Sequence, residues 1–167
     1  MDCILAVLSS TLLFLAAFTL VNDGSWKLIF VGDGPCRKEC MDYVSQKGIS
    51  SYVEFVGVVK DVDRYLAQSK IFAFVSTSEG FPNALGEAVL FPTASISYNC
   101  PAGPEDIIRD DENGFLVPLG KVEEYATKLK MLMESEELRT RFEMNAVSDR
   151  SKYSMENIGE SFFNFMF

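Results

Sequence analysis

The chain has 167 residues, 48% hydrophobic and 23% charged, the balance of one globular domain with a substantial core. A formal net charge of −9 argues against a nucleic-acid binder, which needs a basic footprint, and against electrostatic adhesion to anionic lipid. Histidine is absent, which excludes serine–histidine and cysteine–histidine catalysis within the chain and removes the commonest metal ligand.

The chain opens on an uncharged run, Cys3 to Val21. Its length is near the lower limit for a membrane-spanning helix. Asp2 stands where a signal peptide would be positive. Residues 1–21 therefore read as an apolar helix, either buried in a larger protein or serving as a membrane anchor, and residues 22–167 as the main domain. From there strands and helices alternate. Lys27 to Val31 predicts a strand, residues 32–35 a glycine turn, and Cys36 to Lys47 a helix. Tyr52 to Val56 predicts a strand ending at Gly57, Val62 to Gln68 a short helix, and Ile71 to Val75 a buried strand. Asn83 to Phe91 reads as a helix stopped by Pro92. Ala94 to Ser97 is a weak strand, followed by a Pro/Gly loop leading into residues 105–109. Phe115 to Val117 predicts a strand, Val122 to Glu134 and Glu136 to Asp149 amphipathic helices, and Met155 onward a last helix. This order predicts an α/β fold, a Rossmann-like parallel sheet with helices on both faces. Ligands of such sheets bind beyond the carboxyl ends of the strands.

Cys36 and Cys40 are four residues apart, but no second pair completes a zinc site, and with Cys3 and Cys100 they read as reduced thiols. The most informative stretch is S-T-S-E-G-F-P-N-A-L-G-E-A-V, Ser76 to Val89. It sets Glu79 and Glu87 around Gly80, Phe81 and Pro82 at the end of a core strand. Pro82 suits a first helical turn, and the amides of Asn83, Ala84 and Leu85 behind it would favour a phosphate. Carboxylates accept hydrogen bonds from sugar hydroxyls, so a phosphate cradle between two glutamates suits a nucleotide sugar. A capped helix with two solvated glutamates is the alternative; the spacing together with Gly80-Phe81-Pro82 and the preceding strand favours function. The turn of Gly32, Asp33 and Gly34, the strand end at Gly57 and Val58, and the stretch from Ala102 to Asp106 each admit a ligand or a plain turn.

Taken in order, V-G-D-G-P, V-E-F-V-G, S-T-S-E-G-F-P-N-A-L-G-E-A, A-G-P-E-D-I-I and E-N-G-F-L-V-P resemble the C-terminal half of a family 4 glycosyltransferase over about Trp26 to Leu119. The resemblance implies the GT-B architecture, two Rossmann-like domains facing across a cleft, of which the C-terminal one holds the nucleotide-sugar donor. It implies transfer of a hexose or N-acetylhexosamine to a glycan or lipid-linked acceptor with retention, and no cofactor or divalent metal. It assigns Glu79, the candidate catalytic residue, to the donor hexose and Glu87 to the ribose. Gly80, Phe81, Pro82, Asn83, Ala84 and Leu85 would face the sugar and diphosphate, Gly57 and Val58 the base, and Gly32, Asp33 and Gly34 the cleft.

The sequence departs from the family at three places. Pro92-Thr93-Ala94 replaces a Gly-x-Pro turn, and Asp106 replaces a glutamate. The arginine and lysine that face the diphosphate should precede Leu13, yet residues 1–26 contain no basic residue. Leu12 to Val21 resembles the family's helix before this domain's first strand, whereas Met1 to Thr11 matches none of its parts. The expected partners are a nucleotide-sugar donor, a UDP-sugar before other bases, and a missing N-terminal acceptor domain. The expected location is the cytoplasm, with peripheral association at the inner membrane face as an option. The alternative function is a catalytically incomplete nucleotide-binding or partner-interaction module from a truncated or split gene.

Overall fold

The computed structural model describes residues 2–7, 11–78, 82–101 and 103–149. The elements are β1 (Asp2–Val7), α1 (Leu12–Val21), β2 (Trp26–Val31), α2 (Arg37–Gln46), β3 (Val53–Gly57), α3 (Val62–Gln68) and β4 (Ile71–Phe74). They continue through α4 (Asn83–Ala88), β5 (Ala94–Asn99), α5 (Pro104–Ile107), β6 (Gly114–Pro118), α6 (Val122–Glu134) and α7 (Glu136–Asp149). The expected helix from Met155 lies outside the described residues.

All six strands are parallel, in the order β3-β2-β1-β4-β5-β6. This is the expected Rossmann-like sheet. The reading of residues 1–21 as a helix is corrected at its first half. Asp2–Val7 is a central strand, paired along its whole length with β2 and through Ile4, Leu5 and Ala6 with β4. A strand buried on both faces loses its polar alternation, and a short apolar run of that kind has no periodicity to separate it from a helix. Only Leu12–Val21 is helical, and it packs into the same core through Phe14, Leu15, Ala17 and Phe18. No helix among the described residues is long and apolar enough to cross a membrane.

Alternating strand residues build two cores. Ile4, Ala6, Leu28, Phe30, Ala73, Ile96 and Tyr98 face α1, α2 and α6. There Phe14 meets Phe30 and Tyr125 edge-on, at centroid distances of 6.1 and 5.7 Å. Leu5, Phe72 and Phe74 face the other way, onto Leu66 of α3, Leu85 and Ala88 of α4, and Ile107 of α5. The helix after β4 ends at Ala88, shorter than expected. Its end is closed by the unexpected Thr93, whose hydroxyl donates to the Ala88 carbonyl at 3.0 Å. β5 is longer than the predicted weak strand. Its central position supplies two paired neighbours, which override the low strand propensity of Ser95 and Ser97.

From β1 the chain winds outward to β2 and β3, then crosses to β4 and winds the other way. The reversal leaves a crevice between the carboxyl ends of β1 and β4, the place where open α/β sheets bind ligands. The start of α1 and the segment after β4 both meet there.

Candidate donor-binding site

On one side of the crevice, two glycine turns follow β2 and β3. Gly32 and Gly57 have φ of 105° and 75°, a region that glycine enters without the cost that other residues incur. The Gly32 amide donates to the Gly57 carbonyl at 2.8 Å, which joins the two turns. Gly34 donates its amide to the Asp33 carboxylate at 2.8 Å, and its carbonyl accepts from the Arg37 amide at 3.1 Å. The Arg37 guanidinium donates to the Phe55 carbonyl at 3.3 Å and lies 3.5 Å from the Asp33 carboxylate. Val58, just beyond, is 81% exposed. Gly32, Asp33, Gly34, Gly57 and Val58 are therefore brought together, and Arg37, which the motifs did not single out, binds to their backbone and side chains.

On the other side β4 runs into Val75 and Ser76, both buried, and the Ser76 hydroxyl donates to the Ser78 carbonyl at 3.3 Å. Glu79, Gly80 and Phe81 lie outside the described residues. Pro82 stands one position before α4 rather than inside it, with non-helical ψ of 66°. Its carbonyl accepts from the amides of Leu85 and Gly86, each at 3.0 Å. The Leu85 amide is thus bonded within the chain, which differs from the expectation that it faces a phosphate; its side chain is fully buried. Asn83 and Glu87 are exposed, and Ala84 is half-buried.

The β5–α5 loop closes onto Pro82. Gly103 has φ of 120°, and a Cβ there would stand 2.5 Å from Pro82 Cδ. Only a residue with no side chain allows this approach. The sequence offered a glycine in a loop and no means of pairing it with Pro82. Asn99 donates to Glu105 at 3.3 Å across the same loop.

Between β1 and α1 the sequence reads Leu8, Ser9, Ser10 and Thr11, with no lysine or arginine, and residues 8–10 lie outside the described residues. Most of the segment that matched none of the family's parts, Asp2–Val7, is thus the first strand of this domain. Burial raises the Cys40 thiol above its ordinary range, and a hydrogen bond from the Thr11 side chain opposes that shift. Among the described residues no group of three His, Cys, Asp or Glu could hold a metal ion.

The family described as "Glycosyl transferases group 1" matches residues 8–135. The chain belongs to the group 1 glycosyltransferases. It is 32% identical over 138 residues to the amylovoran biosynthesis glycosyltransferase AmsD of Erwinia amylovora, covering 83% of this chain and 39% of AmsD. The chain thus spans well under half the length of that relative. The C-terminal domain of a glycosyl transferase group 1 family protein (LpcC) from Francisella tularensis superposes with a TM-score of 0.81 at 28% identity, over 92% of this chain and 87% of that one. Anabaena Alr3699/HepE, crystallised with UDP and glucose, shares the fold with a TM-score of 0.87 at 19% identity, over 99% of this chain and 48% of that one. The fold is that of the C-terminal domain of a GT-B glycosyltransferase, as the order of the motifs implied.

Proposed function

We propose that this group 1 glycosyltransferase domain is the donor-binding half of a retaining enzyme. It would transfer a hexose or N-acetylhexosamine from a nucleotide sugar, a UDP-sugar first, to a glycan or lipid-linked acceptor. One observation carries the reading: Ser76 to Ser78 follow β4, and Asn83 to Glu87 lie on α4, at the crevice where the strand order reverses, within a chain whose family match runs over residues 8–135. Glu79 takes the donor hexose and Glu87 the ribose. Gly80, Phe81, Pro82, Asn83 and Ala84 face the sugar and diphosphate. Gly57 and Val58 sit near the base, and Gly32, Asp33 and Gly34 line the cleft. Dipoles and charges aimed at the departing diphosphate stabilise it, and electrostatic stabilisation of this kind usually contributes most to catalysis.

The acceptor side of the cleft comes from a further domain. The reading includes no resident metal and a cytoplasmic location, peripheral to the membrane where the acceptor is lipid-linked. Its test is transfer by the chain together with an acceptor domain, followed by NMR of the anomeric proton of the product. Retained configuration and insensitivity to EDTA are expected; inverted configuration or loss of activity with EDTA would overturn those parts. A second reading is favoured by the rim itself: residues 1–26 hold no lysine or arginine to face a diphosphate. On that reading the domain binds nucleotide without transfer. Binding with no transfer, even with an acceptor domain present, would select it.

A further inference from the structure

We propose that Arg37 is a positioning residue: it holds the turns after β2 and β3 together as one shelf, and through that shelf it selects the nucleotide base. The proposal rests on the donor-site reading above. Its starting point is an irregularity in the sheet. Phe30 pairs with Phe55 and Val31 with Gly57, so β3 carries one extra residue, Val56, at its carboxyl end. Bulges of this kind bend a strand and re-aim the side chains beyond the bend. Here the residue after Gly57 is Val58, an apolar side chain held out in solvent.

Arg37 reaches the backbone at this bulge. Its guanidinium donates to the carbonyl of Phe55, the residue just before the extra one. The same group approaches Asp33 in the turn after β2. Gly57 leaves the room this requires, since a Cβ there would lie 3.3 Å from Arg37 Nη1. An exposed ion pair of this kind contributes little by itself. The carbonyl bond is different, because it ties α2 to the outer strand β3. A planar guanidinium presents several donors in a fixed fork and serves acceptors on two elements, whereas a lysine offers one point charge.

The shelf also lies at a suitable distance. β3 is two strands from β1, roughly 10 Å at ordinary strand spacing, which suits the reach of a nucleoside whose phosphates sit at the crevice. A shift of the bulge would move Val58 and the Gly57 backbone against the base and leave the crevice unchanged.

The test uses the full chain with Arg37→Gln and Arg37→Lys. Calorimetric titration with UDP and ADP gives the base preference, and amide hydrogen exchange at Gly32 reports the bond between the turns without ligand. Both variants are expected to lose about tenfold in the UDP-to-ADP preference, the size of one charge-assisted hydrogen bond. Exchange at Gly32 should quicken while amides of β1 and β4 stay protected. An unchanged base preference overturns the proposal, even if the thermal midpoint falls, because Arg37 would then be only structural. A wild-type chain that binds no nucleotide overturns the donor-site reading and base selection with it. Slow exchange at Gly32 in both variants would sink the shelf independently of any ligand.

Discussion

The two sides of the crevice are held by different physics. After β2 and β3, polar groups do the holding: the Gly32 amide on the Gly57 carbonyl, and the Arg37 guanidinium on Phe55 and Asp33. After β4 and β5, the fit is steric: the Pro82 ring occupies the space that a side chain on Gly103 would take. A polar tie weakens when one donor is removed, and the neighbouring chain end can adjust. A steric nest is insensitive to lost charge and breaks when atoms are added, because close-packed interiors have little room to give. The side with the glutamate motif is therefore expected to be the less forgiving one.

Gly103→Ala should have the largest effect. It adds a methyl 2.5 Å from Pro82 Cδ and places alanine at φ of 120°. A loss of about 3 kcal/mol is expected in urea unfolding, from overpacking and backbone strain together. The double variant with Pro82→Ala should recover the packing part and retain the strain. If the two substitutions prove additive, the nest is not the reason for the glycine.

Gly57→Ala should cost less, about 1–2 kcal/mol, because its neighbour is the end of a flexible arginine and mainly the left-handed backbone is penalised. Gly48→Ala separates the two contributions. Gly48 has φ of 68° with nothing within 4 Å of the added methyl, so about 1 kcal/mol of strain is all that is expected there. A Gly57→Ala loss equal to that of Gly103→Ala would contradict the contrast between the two sides.

The smallest effect is expected away from the rim. Burial raises the Glu143 carboxyl on α7 above its ordinary range, opposed by Lys70 and Arg139 and reinforced by Glu136. A carboxyl with a raised folded-state pKa favours the fold while protonated. That contribution is present below the ordinary carboxyl pKa and lost as pH rises through the raised value. Glu143→Gln should therefore stabilise the chain near neutral pH and make no difference at acid pH, as read from thermal midpoints across the range. Stabilisation confined to acid pH would contradict the sign.

The sheet from β2 onward was legible because its short strand runs alternate with helices of recognisable period, with glycines beside β2, β3 and β6. β1 was not, because a fully buried strand beside an apolar helix leaves one unbroken hydrophobic run. The rim was legible as motifs: Gly32 to Gly34, Gly57, and the segment through Glu87 all come after strand ends. The ties that join them were not. Arg37 acts on a carbonyl 18 residues away, and Gly103 matters through a proline on another loop. Such pairings depend on strand order and register, which no local pattern carries. Thr93 shows the same limit from the other direction: a departure from the family's turn became intelligible once its hydroxyl was seen to close α4.

The central claim, a working donor site on this domain, is tested most directly by calorimetric titration of the folded chain with UDP, beside Glu87→Ala. Saturable binding by the wild type that is lost in the variant is the predicted result. A folded wild-type chain that takes up no UDP, or a Glu87→Ala chain that binds as well as the wild type, would contradict it.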